Sequence, residues 1–268
     1  SCVTLRKGFK VGAAAIFAMP VAMKAFPLPA IVYFAARREW RVVALALVFI
    51  VAYVWLVPGI FRGLDRNTAE LRQWAGQMIG DQSGNTVAAR SGIGFTRRNH
   101  SLASVSHRLL RDVDAGDDPK KRLTVNVADV SPQTAQRIGM AACLALGVVL
   151  LAATRLRFAT SNRAEGLEVS MVCILVLLCS PLSHTYYYCW LLPAWVAVAV
   201  LWDQKSVRVG GAIAGLLLAS AMTEQWDPTL QAYGVTTWGS VALFLTLAWS
   251  RFKLPKEVAV ETRLRLAA

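Results

Sequence analysis

The chain has 268 residues, of which 56% are hydrophobic and 17% are charged, whereas an ordinary soluble domain has about a quarter charged residues. Its 29 lysines and arginines exceed its 16 aspartates and glutamates and give a formal net charge of +13. Because the basic residues stand between apolar blocks rather than along one polar face, the pattern argues against a nucleic-acid partner and favours a membrane protein in contact with lipids.

Seven apolar segments follow one another along the chain and predict an all-α fold, a polytopic transmembrane helical bundle. The first is interrupted by Pro20, Pro27 and Pro29 and contains Lys24. The second has 20 residues without a charge, enough to cross a hydrocarbon core of about 30 Å. It also lacks the polar stripe of a buried helix in a soluble protein. The segments cover residues 11–36, 42–61, 138–154, 167–182, 186–202, 209–222 and 234–250.

Basic clusters alternate with these segments and predict the topology. Lysines and arginines concentrate between the first and second segments, the third and fourth, the fifth and sixth, and after the seventh. Cytoplasmic loops carry such an excess, so these connections are predicted to share the cytoplasmic side. The long polar loop 62–137, the turn 180–185 and the loop 223–233 then lie outside. Residues 1–268 are thus predicted to form a single integral membrane domain with one long extracytoplasmic loop.

The N-terminal end does not fit this topology, because Arg6, Lys7 and Lys10 precede a first segment that would start outside. The chain also begins with Ser1 and has no charged and then apolar signal segment. We therefore expect it to be the C-terminal portion of a longer protein.

Neither a metal nor a cofactor is predicted. Four of the five cysteines lie inside apolar segments, without metal-ligand spacing or partner histidines, and are expected to be packing residues. The sequence also has no acidic pair or histidine cluster that predicts a metal site.

Asn99, Ser101 and Arg108 are the first candidate binding residues, within the predicted outer loop. Asn99 or Ser101 is expected to cap a helix, which would place Arg108 near Ser104 on one helix face. The alternative is a solvated amphipathic helix on the bilayer, with the arginines at 97–98 at lipid headgroups. The Asn-His-Ser triplet that begins with Asn99 also matches a glycosylation acceptor.

Lys24 is the second candidate, because a cation inside an apolar segment is costly and usually faces a cavity, a partner or an anionic ligand. Pro27 and Pro29 would free backbone groups nearby, which is tolerated only where protein or water covers them. The alternative is a lysine that extends to the membrane interface because the true span starts nearer Leu28.

His184 is the candidate catalytic residue, in the outer turn between the fourth and fifth segments. There an imidazole can donate to a phosphate or exchange a proton near neutral pH. Tyr186 and Tyr187 follow it and are expected to line the same pocket. The alternative for the tyrosines is an aromatic belt at the membrane interface.

Three stretches, in this order, resemble the polyprenyl-phosphate-sugar-dependent glycosyltransferases of family 87. They are Lys-Ala-Phe-Pro at 24–27, Asn-His-Ser-Leu at 99–102 with Arg108, and Ser-Pro-Leu-Ser at 180–183 leading to Trp-Leu-Leu-Pro at 190–193. The resemblance implies a membrane enzyme whose active site faces the extracytoplasmic side of a bacterial plasma membrane. It also implies inverting transfer of a mannose-like hexose from a polyprenyl-phosphate sugar to a lipid or glycan hydroxyl.

The same resemblance implies roles for the candidate residues. Lys24 and Arg108 would bind the donor phosphate, where fixed cations stabilise the departing group. Asn99 and Ser101 would orient phosphate or sugar hydroxyls. The outer end of the pocket would be formed by His184, Tyr186 and Tyr187.

A carboxylate that deprotonates the acceptor is also implied, in a first outer loop that we expect upstream of Ser1. The chain departs from the family pattern at His100, where the family commonly has Gln. It departs again at 184–187, where the family often has a Trp and paired histidines and this chain has His184 and two tyrosines.

Two other functional classes remain open, a transporter or channel component and a catalytically incomplete membrane scaffold. Transporters often have paired broken helices in corresponding halves, whereas only the first segment here is both broken and charged. The long outer loop is more typical of an enzyme that works at the outer face.

Overall fold

The computed structural model describes residues 9–23, 28, 30–79, 95–118, 120–155, 162–220 and 228–254. All regular elements in these ranges are helical, which confirms the all-α prediction for them. The chain divides into two compact units, Ser1–Val87 and Ala88–Ala268. The helices of the first unit are α1 (Lys10–Met23), α2 (Ala30–Ala36), α3 (Trp40–Arg62) and α4 (Leu64–Ile79).

In the first unit, α1 packs along α3, and small side chains form much of the buried surface. Ala14, Ala18 and Ala46 have no exposed surface, and such residues let helices approach closely. An ion pair of 3.0 Å joins Lys10 Nζ to Glu39 Oε2 beside the start of α3.

A π-helical turn, Ala52–Leu56, interrupts α3 and ends two residues before Pro58. A proline has no N–H and displaces the carbonyl four residues earlier, so the carbonyl of Val54 needs another donor. The buried Asn67 of α4 supplies it, because its Nδ2 donates to the carbonyls of Val54 (3.2 Å) and Trp55 (2.9 Å). This contact holds α3 and α4 together as a hairpin.

The second unit contains the remaining described helices around an apolar core from α7, α9 and α11. Its fully buried members include Met171, Ile174, Leu243 and Phe244. The elements are α5 (Leu102–Leu110), α6 (Pro132–Arg155), α7 (Asn162–Cys179), a 3-10 turn (Thr185–Leu191), α8 (Leu192–Val200), α9 (Lys205–Ser220), α10 (Pro228–Ala232) and α11 (Val235–Lys253).

A buried ion pair joins α7 to the C-terminal end of α11. Arg251 donates from Nε (2.9 Å) and Nη2 (2.8 Å) to Oε1 of Glu168, and the two side chains are 1% and 0% exposed. Arg251 is one of the basic residues that follow the seventh predicted segment, and its charge is paired inside the bundle.

Two helices of the described ranges are long and apolar enough to cross a membrane, Trp40–Arg62 and Pro132–Thr154. Only 11% and 28% of their most apolar stretches are buried, so most of that surface lacks a protein covering. The predicted segment 186–202 is divided into the 3-10 turn and α8, because Pro193 fits best in the first turn of a helix. The number of seven spans therefore stays a prediction.

The predicted outer loop 62–137 is more structured than its polarity suggested. It contains α4, α5 and the first residues of α6. Its α4 part belongs to the first unit, whereas α5 belongs to the second.

Candidate active site

The loop before α5 is bonded to the turn that precedes the 3-10 helix. Ser101 caps α5, since its Oγ accepts from the N–H of Ser104 (3.1 Å). Asn99 Oδ1 accepts from the N–H groups of Ser101 (3.1 Å) and Ser183 (3.0 Å), and its Nδ2 donates to the Pro181 carbonyl (3.0 Å). Two motifs about 80 residues apart in sequence therefore meet through one buried amide.

Arg108 holds the other side of this loop from the last turns of α5. Its Nε donates to the carbonyl of Ala232 (2.8 Å). Its Nη1 donates to the carbonyls of Thr96 (2.9 Å) and Asn99 (2.8 Å) and to Ser104 Oγ (2.8 Å). We call Asn99, Ser101 and Arg108, with the 180–183 turn, the cap junction.

The charge of Arg108 is fully buried and is surrounded by neutral oxygen atoms. Within the described ranges, no carboxylate forms an ion pair with it. Burial lowers the pKa of Arg108 to about 9, so the guanidinium is still protonated at neutral pH. Carbonyl and hydroxyl oxygens accept from its Nε and Nη1 without cancelling its charge, and the cap junction therefore carries a net positive charge.

His100 lies between the cap junction and α11. Its N–H donates to the Ser183 carbonyl (2.8 Å), and its carbonyl accepts from Thr237 Oγ1 (2.7 Å). The ring is 3.3 Å from Thr185 Oγ1 through Nε2 and makes an edge contact with Tyr188, with centroids 5.5 Å apart.

The ring of His100 is neutral under physiological conditions. It is 3% exposed, and burial lowers its pKa to about 3, with smaller contributions from the charge of Arg108 and from His184. A second cation beside Arg108 is thereby avoided.

Three buried polar atoms of neighbouring residues have no hydrogen-bond partner among the side chains and backbone that the structure describes. They are His100 Nδ1, Arg108 Nη2 and Ser183 Oγ. Buried polar groups are nearly always paired, so this region has an unused capacity to bind a polar or anionic group. The guanidinium and the Ser183 hydroxyl can both donate.

A partly exposed cluster, which we call the aromatic group, lies beside the buried residues and consists of His184, Tyr186 and Tyr187. The ring of His184 stacks on that of Tyr186, with centroids 5.6 Å apart and planes 18° apart. Tyr186 OH donates to Tyr187 OH (3.1 Å) and Tyr186 is 67% exposed. His184 itself is half-buried.

The alternative of a solvated amphipathic helix is wrong for α5. Helix α5 buries Val105, His107 and Arg108, so it is not a solvated amphipathic helix. Both arginines at 97–98 bond to Asp117 Oδ2 at 3.0 Å. The amide of Asn99 is completely buried, so it is not an accessible glycosylation acceptor in the folded protein.

The structure brings six of the seven predicted site residues into one unit, Asn99, Ser101 and Arg108 in the cap junction and the other three in the aromatic group. Lys24 lies outside the described residues. Ser183, Thr185 and Tyr188 stand in the candidate stretch around His184, whereas Thr237 is a neighbour that the sequence did not indicate. The sequence signal that could have indicated Thr237 is its hydroxyl group near the start of an apolar segment.

Within the ranges that the structure describes, no group of three or more His, Cys, Asp or Glu side chains could hold a metal ion. The described side chains of the site offer a guanidinium, imidazoles and hydroxyl groups.

The sequence profile of glycosyltransferase family 87 matches residues 1–181, which is more than half of the chain. Comparison with curated proteins and with solved structures gave no match. The match includes α5 and ends inside the 180–183 turn, so the aromatic group and α8–α11 lie beyond it. The chain belongs to glycosyltransferase family 87.

Proposed function

We propose that this member of glycosyltransferase family 87 transfers a mannose-like hexose from a polyprenyl-phosphate donor to a hydroxyl group of a lipid or glycan. The observation that carries the proposal is the buried charge of Arg108, held by neutral oxygen atoms beside His100, whose ring is also near His184. A fixed cation without a carboxylate partner suits a substrate that brings its own negative charge.

Arg108 is the residue that we assign to the donor phosphate. Its Nε and Nη1 are used by the protein, and Nη2 keeps donor capacity among the described residues. The bond between the anomeric carbon and the phosphate oxygen breaks during transfer, and the phosphate takes the electron pair. A preorganised guanidinium stabilises that developing charge without reorganising. Lys24 is proposed as a second phosphate ligand on the basis of the sequence alone.

Asn99 and Ser101 contribute to the site chiefly by position, although we proposed substrate contacts for both. The oxygen of the Asn99 side chain accepts two backbone N–H groups, and its nitrogen donates to a carbonyl. The Ser101 hydroxyl accepts from the N–H of Ser104. Substrate contact by these side chains would therefore compete with bonds that shape the loop.

His184 is the residue that we assign to catalysis, with Tyr186 and Tyr187 lining the sugar side of the pocket. The accessible imidazole can donate to the departing phosphate or exchange a proton. The acceptor oxygen bonds to the anomeric carbon from the opposite face, which inverts that centre, and it passes its proton to a base. We assign no described residue as that base.

We propose that the site faces the extracytoplasmic side of a bacterial plasma membrane, with seven crossings. Two long apolar helices with largely uncovered surfaces support membrane insertion. The alternation of basic clusters supports the orientation.

The test is a transfer assay with the full-length protein reconstituted in liposomes made from bacterial lipids. Labelled polyprenyl-phosphate mannose is compared with a nucleotide-linked mannose as donor. We expect labelled lipid or glycan product with inverted linkage from the first donor and none from the second. Product from the nucleotide sugar alone, or none from a folded protein with either donor, would contradict the proposal.

A further inference from the structure

The short segment 232–237, which we call the clamp segment, runs from the end of α10 into α11 and contacts α5 at several points. The carbonyl of Ala232 accepts from Arg108. A Cβ on Gly234 would lie 2.7 Å from Val105 Cγ2, so backbone and helix are in close contact there. Gly234 has a φ of +80°, which favours glycine. The Thr237 hydroxyl donates to the carbonyl of His100 in the loop before α5.

Thr237 differs from the hydroxyl residues further along α11 in where its hydroxyl donates, and from Thr236, which donates to Gln231 Oε1 at 3.2 Å. Ser240, Thr246 and Ser250 all donate to the carbonyl four residues earlier in their own helix. That local bond is the usual choice for a hydroxyl in an apolar helix. Thr237 instead donates to the His100 carbonyl at 2.7 Å, across 137 residues of sequence, and is completely buried.

The peptide groups of His100 connect this hydroxyl to the aromatic group. The carbonyl of His100 accepts from Thr237, and its N–H donates to the carbonyl of Ser183 at 2.8 Å. Ser183 is followed directly by His184. His100 is therefore held by α11 through its carbonyl, and through its N–H by the turn that carries the candidate catalytic histidine.

We infer that Thr237 is a positioning residue for glycosyl transfer, which fixes His100 against the 180–183 turn and so sets the place of the His184 ring. The inference rests on the proposed function for its kinetic consequence. It extends the site to α11, beyond the residues 1–181 that the family profile matches.

Thr237→Val tests this inference, because valine keeps the shape of threonine and lacks the donor. Misplacing a reacting group by about 1 Å can cost on the order of 100-fold in rate. We expect kcat to fall by about 10- to 100-fold with KM nearly unchanged. Thr237→Ser keeps the hydroxyl and should restore most of the activity.

Thr246→Val is the matched control, because its hydroxyl bonds within the same helix at 2.8 Å. It should keep wild-type kcat. Equal kcat values for Thr237→Val and Thr246→Val would overturn the inference, as would a Thr237→Ser enzyme as slow as Thr237→Val.

Amide hydrogen exchange supplies a measurement that does not depend on the reaction. In Thr237→Val the N–H groups of His100 and Ser183 should exchange faster than in wild type, while those of α7 stay unchanged. Unchanged exchange at both groups would overturn the positioning role even if no sugar transfer were found. Absence of transfer by wild type would instead count against the proposed function.

Discussion

The cap junction and the aromatic group adjoin each other but are built in opposite ways. In the cap junction, Asn99, Ser101 and Arg108 are completely buried, and most of their polar atoms are bonded to backbone groups. In the aromatic group, Tyr186 is 67% exposed and contacts its neighbours mainly through ring faces and one hydroxyl pair.

We propose that the cap junction chiefly shapes the site, with Nη2 of Arg108 left for the donor phosphate, and that the aromatic group meets the substrate. Removing a buried, bonded group leaves partners unpaired and should reduce stability. Removing an exposed ring should leave folding intact and reduce turnover alone. Measuring stability and turnover on the same variants therefore tests the distinction.

The largest effect is expected from Arg108→Ala. It leaves the acceptors on Ala232, Thr96 and Asn99 without their donor, and each buried unpaired group costs about 1–3 kcal/mol. We expect the free energy of unfolding to fall by about 3 kcal/mol or more, with loss of transfer. Denaturant unfolding in detergent measures it.

The control for this variant is Arg122→Ala, which removes an arginine that is 59% exposed and paired with Asp112 at the surface. It should change stability by less than about 1 kcal/mol. Similar losses in both variants would show that Arg108 does not organise the loop. Arg108→Lys should recover only part of the stability, since one ammonium cannot replace the planar fork.

The second largest effect on stability is expected from Asn99→Asp. The carboxylate keeps the acceptor for the N–H groups of Ser101 and Ser183 but loses the donor to the Pro181 carbonyl 3.0 Å away. We expect a loss of about 1–3 kcal/mol in unfolding free energy. Asn126→Asp loses a donor to the carbonyl of Ala128 within its own loop and should cost less. Wild-type stability of Asn99→Asp would refute the bridging role.

A pH-dependent effect is expected from His100. Its pKa is about 3 in the folded protein and about 6.5 when unfolded, so the unfolded state binds more protons between these values. Stability should therefore fall as the pH drops below about 6.5, by at most about 1.4 kcal/mol per unit.

His100→Gln should flatten this dependence, because glutamine does not titrate. A smaller slope should remain from His107, whose pKa is lowered mainly by burial. Unfolding midpoints recorded from pH 7.5 to pH 5 for both proteins measure the difference. Identical slopes would mean that His100 is not held neutral in the fold.

The smallest effect on stability is expected from Tyr186→Ala. An exposed side chain away from buried partners usually changes stability by less than about 0.5 kcal/mol. Transfer should nevertheless slow, because the ring that stacks on His184 is lost. Tyr186→Phe keeps the ring and should retain most of the rate. A Tyr186→Ala enzyme with lower stability and normal kcat would contradict the distinction between the cap junction and the aromatic group.

Local features of the site were predictable from the sequence. The cap at Ser101 and the approach of Arg108 to Ser104 on one face of α5 are both confirmed, the latter by a bond of 2.8 Å. Helix capping and four-residue spacing depend only on neighbouring residues. The all-helical fold was also predictable, because long runs of apolar residues leave few alternatives to a helix.

Long-range features were not predictable in this way. No spacing in the sequence indicates that Asn99 bonds to the 180–183 turn or that Thr237 bonds to His100. The ion pair of Arg251 was not predictable either, because its buried partner, Glu168, lies 83 residues away.

The central claim is that His184 does the chemistry at a site whose shape is held by the cap junction. His184→Gln tests it most directly, with kcat for polyprenyl-phosphate mannose and the unfolding midpoint measured on one preparation. We predict a loss of at least about 100-fold in kcat, the usual scale for an acid or base group, with an unchanged midpoint. Wild-type kcat in that variant would contradict the account.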